Sequence, residues 1–126
     1  MSFNRFFNVI GITVVMVIWV LSLVPLNKIM VPGSDKLHHS LAYFACMFCW
    51  GQVYIRPLSR LKLAILFIAM GALIEYIQGL TPYRAFEWRD MAANSVGVIT
   101  AWLALTIQGL AQDRLFKKPS GSRAPE

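Results

Sequence analysis

The sequence predicts an all-α fold, an integral membrane bundle of four transmembrane helices with both termini cytoplasmic. Length comes first: a bilayer's hydrocarbon core is about 30 Å thick and takes roughly 20 apolar helical residues to cross. Stretches without Asp, Glu, Lys or Arg cover 6–27, 37–55 and 91–112, and 63–82 is broken only by Glu75. These spans fill most of the 126 residues and mean hydropathy is +0.57, so residues 1–112 are expected to form one membrane domain. The third observation is the distribution of the 12 Lys and Arg residues. Eight lie at Arg5, in the loop holding Arg56, Arg60 and Lys62, and in the tail (Arg114, Lys117, Lys118, Arg123). Only Lys28, Lys36, Arg84 and Arg89 lie in the other two loops. The positive-inside rule makes the first group cytoplasmic and turns the second outward. The net charge of +6 is then a topology signal with attraction to anionic lipid. No nucleic-acid partner is expected, because no nucleic-acid-binding motif is present.

Each element has its own signals. The first span follows Arg5, as a secretory signal would, but its apolar run exceeds a signal core of roughly 7 to 15 residues, and Leu23-Val24-Pro25 is a poor cleavage context. An uncleaved helix is expected. Before the second span, Pro32-Gly33-Ser34 reads as a turn with Ser34 as N-cap and Asp35 in the first turn, where the helix dipole favours negative charge. Pro82 closes the third span, and Asp90 opens the fourth after the polar loop 81–89. Residues 113–126 read as a flexible basic cytoplasmic tail.

Polar residues recur at helical spacing near one end of these spans. Asp35, His39 and Tyr43 share one face of the second span, with His38 on an adjacent face beside Ala42, Ala45 and Cys49. Asp90, Asn94, Gly97 and Ala101 share one on the fourth. On the third, Ala64, Ile68, Gly71, Glu75 and Gln78 form a stripe. Counting inward from Lys62 puts Glu75 about 20 Å along its span, roughly 10 Å short of the far boundary. A carboxylate at that depth must face the bundle interior and share a partner or keep its proton. Ala93, Gly97 and Ala101 supply small-xxx-small spacing for close helix contact. Three helices are thus expected to enclose a narrow outward-opening pocket of Asp35, His39, Tyr43, Glu75, Gln78, Asp90 and Asn94. Lys36, Arg84, Arg89 and two helix N-termini on the same side suit an anion.

In order and spacing, Asp35-Lys36-x-x-His39-x-x-x-Tyr43, Glu75-x-x-Gln78, Pro82-x-Arg84 and Asp90-x-x-x-Asn94-x-x-Gly97 resemble the VanZ-like membrane proteins. These are small bacterial helical proteins named for a member associated with low-level teicoplanin resistance. The resemblance spans about residues 34–105. It implies a multi-pass protein of the bacterial cytoplasmic (inner) membrane with a cell-envelope role, and marks Asp35, Lys36, His39, Glu75, Gln78, Arg84, Asp90 and Asn94 as site residues without assigning an activity. Two positions depart from the family: His38, where an apolar residue is usual, and Tyr83, where Gly is frequent.

The constellation admits several readings. One binds or modifies an anionic lipid or a lipid-linked envelope precursor. There His39, oriented by Asp35, acts as general acid or base, since imidazole titrates near neutral pH, and Glu75 takes the complementary role, with Asp90 the fourth catalytic residue. Lys36, Arg84, Arg89, Gln78, Asn94 and Tyr43 hold the headgroup. A variant of this reading places a divalent metal on Asp35, His39, Glu75 and Asp90. No metal is assigned, because the spacing matches no established ligand motif and the basic residues can balance the carboxylates; no cofactor is assigned either. The rivals are a small proton-coupled transporter using Glu75 and a non-catalytic assembly protein, alone as a homo-oligomer or with other envelope proteins. Cys46-x-x-Cys49 lies near mid-span with no second pair to relay to, so packing is expected there rather than redox chemistry.

Overall fold

The computed structural model describes residues 2–24 and 35–116. The turn expected at Pro32-Gly33-Ser34 and the tail beyond residue 116 lie outside them. Four helices follow in order: α1 (Phe3–Leu23), α2 (Asp35–Val53), α3 (Pro57–Gly79) and α4 (Trp88–Phe116). Ser2 caps α1 by accepting from the Arg5 N–H. Pro57 stands in the first turn of α3, where its missing N–H costs nothing, so the helix starts six residues before the predicted span. α4 runs on through Asp113 to Phe116, into the segment read as tail, because the first helix breaker after Asp113 is Pro119.

Three helices, α1, α3 and α4, are long and apolar enough to cross a membrane. α2 falls short by composition, opening Asp-Lys-Leu-His-His-Ser and ending near Gln52. Its position explains why. α2 packs against α1, α3 and, most extensively, α4, so most of its polar groups face protein, with His38 exposed. α1, by contrast, is apolar around its circumference and buries only Gly11 and Ile18; such a helix suits lipid. Hydroxyls along the helices bond their own backbone, as Thr13 does to the Val9 carbonyl and Thr100 to that of Val96.

The core runs along α2, α3 and α4 through Tyr43, Cys46, Met47, Phe67, Ile74, Val98, Ala101 and Leu105, with Ile18 reaching in from α1. Small residues set its thickness. A Cβ at Gly97 would collide with the Ser40 backbone carbonyl, and one at Gly51 with the Leu105 side chain, so α2 and α4 cross with almost no space between them. Cys46 and Cys49 are free thiols inside this core. At the end holding the α2 C-terminus, Arg60 is buried and donates from Nε to the Gly51 carbonyl (3.0 Å) and from a terminal nitrogen to that of Leu105 (2.7 Å). Gln52 donates to Gln108 beside it at 3.1 Å.

Candidate functional site

The N-termini of α2 and α4 and the C-termini of α1 and α3 meet at the other end of the bundle. Asp35 and Asp90 stand in the first turns of their helices, stabilised by the dipole. Helical spacing then carries each helix's polar stripe inward, and the close α2–α4 crossing brings the stripes together.

Asp90 is the hub. Its Oδ1 accepts from Lys36 Nζ at 2.8 Å and its Oδ2 lies 3.6 Å from His39 Nε2. The same imidazole nitrogen is 3.8 Å from Asp35 Oδ1, while Nδ1 lies 3.0 Å from the Asn94 side-chain oxygen. Asp35, His39 and Asp90 each offer a ligand atom, and these three atoms lie within 4.8 Å of one another. Lys36 precedes the apolar run of α2; its bond to Asp90 holds the ammonium pKa above its ordinary value, with Glu87, 3.3 Å away, adding to the effect. The ammonium therefore keeps its charge throughout the neutral range.

Glu75 enters from α3, only 1% exposed. Its Oε2 accepts the Glu87 backbone N–H at 3.4 Å, whereas Oε1 is buried with no hydrogen-bond partner. Tyr43 Oη is likewise buried and unpartnered. One turn below Glu75, Gly71 lets α3 approach closely, since a Cβ there would stand 3.2 Å from Asn94 and 3.3 Å from the Tyr43 ring.

Arg84 lines a cavity of about 310 Å³ between α1 and α2. Its polar side is Asp35, His38, His39 and Arg84; its apolar side is Val17, Ile18, Leu21 and Ala42. Among the described residues, no carboxylate lies within ion-pair distance of Arg84. Of the residues singled out from the sequence, Asp35, Lys36, His39, Asp90 and Asn94 are thus in direct contact, Glu75 and Tyr43 sit in the core around them, and Arg84 stands at the cavity. Two others are placed elsewhere. Gln78 donates to the Ser22 carbonyl at 2.7 Å, tying α3 to the end of α1, as Tyr83 Oη does to Leu23 at 2.9 Å. Arg89 is exposed, with its guanidinium 5.7 Å from the Trp88 ring centre.

Glu87, which sequence reasoning overlooked, joins the cluster twice: its carboxylate takes Lys36 and its N–H holds Glu75. It lies in an irregular loop, where no helical spacing flags it. His38, a departure from the family pattern, lines the cavity beside His39.

Membrane-length apolar helices around a charged cluster of this kind define a helical membrane protein with a polar site at one end. The VanZ/LLP1 family model matches residues 4–109, most of the chain, and the protein belongs to that family. No curated protein and no solved structure matches it.

Proposed function

We propose that this protein is a bacterial cytoplasmic-membrane component of the cell envelope that holds the anionic headgroup of a membrane lipid or lipid-linked envelope precursor. In this reading α2 crosses the membrane with the other three helices, both termini are cytoplasmic, and the charged end faces outward. The basic residues support that orientation through the positive-inside rule. The enclosed position of α2 supports its crossing, because a helix surrounded by protein needs less apolar surface.

One observation carries the proposal: the 310 Å³ cavity is amphiphilic in the sense a lipid requires. Arg84, His38 and His39 stand with Asp35 on its polar side, where a phosphate would sit, and Val17, Ile18, Leu21 and Ala42 form an apolar wall. A guanidinium matches phosphate oxygens in charge and geometry. If the headgroup is also modified, His39, Asp35, Glu75 and Asp90 carry the proton transfers. The core beneath the site is close-packed and apolar at Met47, Val98 and Leu105, which favours a one-sided site over a path across the membrane. An envelope role in the response to glycopeptides such as teicoplanin belongs to the same proposal, and susceptibility of a deletion strain reads it.

The test is lipid retention. Protein reconstituted with phosphatidylglycerol is expected to keep it through purification in preference to phosphatidylcholine. Arg84→Gln should weaken that retention about tenfold, the worth of a hydrogen bond to a charged group. Equal retention of the two lipids by the wild type would remove the proposal.

A further inference from the structure

An anion entering this pocket meets an electrostatic problem. Asp35, Glu75, Glu87 and Asp90 outnumber Lys36 and Arg84, and Arg89 is turned away. With neutral imidazole the cluster is net negative, so a phosphate would be repelled by the carboxylates it must approach.

The imidazole shows how that problem is solved. His39 Nδ1 lies 3.0 Å from the Asn94 side-chain oxygen, an acceptor, so the ring form that makes this bond carries a proton on Nδ1. That turns Nε2 toward Asp35 and Asp90, at 3.8 and 3.6 Å. A bare lone pair there faces two carboxylates unfavourably, and a protonated Nε2 finds both beyond the roughly 2.7–2.9 Å of a charge-assisted hydrogen bond. The two separations are instead close to the spacing between donors around a shared cation, about 3.4 Å for tetrahedral bonds near 2.1 Å.

We infer that Asp35, His39 and Asp90 ligate a divalent cation of the Zn²⁺ or Mn²⁺ type, which bridges the carboxylates of the pocket to the phosphate of the bound headgroup. The cation half of this stands alone; the bridging half rests on the headgroup reading above. One imidazole with two carboxylates suits these metals and leaves positions open for water or a phosphate oxygen. The surroundings fit. Asn94 fixes the ring from its far side, the outer-shell bond that metal-bound histidines ordinarily make. Lys36 takes only Oδ1 of Asp90 and leaves Oδ2 to the cation. Independently of the three ligands, the buried Oε1 of Glu75 has no donor. Its other oxygen accepts from the Glu87 N–H, and the Glu87 carboxylate shares Lys36 with Asp90, so the unpaired oxygen belongs to a group packed beside the cation ligands.

Full-length protein in phosphatidylcholine nanodiscs, stripped with EDTA, is titrated with Mn²⁺ while free Mn²⁺ is followed by electron paramagnetic resonance, then with Zn²⁺ as competitor. One equivalent is expected to bind. His39→Ala and Asp35→Asn should each weaken it at least about tenfold, as even outer-shell changes do. Asp35 is partly exposed and, among the described residues, its ion-pair partner is His39; Asn keeps its size and shape, so the substitution spares the fold. Lys36→Met should tighten binding by removing a like charge. Absence of one-to-one binding by the wild type, or unchanged affinity in both ligand variants, overturns the site. Retention of phosphatidylglycerol is measured with and without EDTA on the same samples. Its loss on chelation supports the bridge, and unchanged retention overturns the bridge alone. Mn²⁺ binding without any phosphatidylglycerol preference instead defeats the headgroup reading and leaves the cation site standing.

Discussion

The two ends of the bundle handle buried ionisable side chains in opposite ways. At the Arg60 end the guanidinium reaches two backbone carbonyls and Gln52 reaches Gln108. At the Asp90 end, Glu75 Oε1 and Tyr43 Oη are enclosed with no partner, and His39 Nε2 faces two carboxylates beyond bonding distance. An unmade hydrogen bond inside a protein costs about 1–3 kcal/mol per group and more for a charged one; near the Arg60 end the neutral Trp50 indole N–H also lacks a partner, but only the Asp90 end leaves a carboxylate oxygen, a phenol and an imidazole nitrogen unpaired together. The difference separates a brace from a site.

Substitutions sharpen that contrast, the largest effect first. Arg60→Ala removes both ties and leaves the Gly51 carbonyl at the end of α2 without its donor. It should lower stability by about 2–3 kcal/mol, read as a fall in thermal midpoint in detergent, with phosphatidylglycerol preference retained by the protein that remains folded. Glu75→Leu should do the reverse. It replaces a half-satisfied carboxylate with an apolar group of similar size, so in metal-free buffer stability should rise by about 1–2 kcal/mol while headgroup retention falls. A midpoint that drops on Glu75→Leu would make Glu75 a brace and erase the contrast. The smallest effect belongs to Arg89→Gln, which removes an exposed stacking contact worth about 0.5–1 kcal/mol at most and should leave retention of phosphatidylglycerol unchanged.

Much of this site was legible in the sequence because helical periodicity is a strong signal. Asp35 and His39, or Asp90 and Asn94, are four residues apart, and a helix must place each pair on one face. Arg89 stands apart from the cluster for the same geometric reason. It is one residue from Asp90, about 100° around the helix, so a buried Asp90 turns it outward. Arg60 was counted as a loop charge, although it sits one turn before Ala64 on the very stripe that continues to Glu75. The stripe carried the signal, and the start of α3 at Pro57 hid it. Glu87 offered no such handle, since only the fold brings that loop to Lys36. The composition of α2 was similarly opaque, because the reduced apolarity of an enclosed helix depends on neighbours that no single span reveals.

The contact between Gly11 and Trp50 has a use of its own. A Cβ at Gly11 would stand only 2.5 Å from the Trp50 indole nitrogen, whose N–H is enclosed without an acceptor. An indole whose nitrogen is shielded from water emits at short wavelength, and water or headgroups reaching that nitrogen when α1 lifts from α2 would move the emission to the red. Because α1 also forms one wall of the cavity, Trp50, with Trp19, Trp88 and Trp102 replaced by Phe, is a built-in optical gauge of whether that wall is shut.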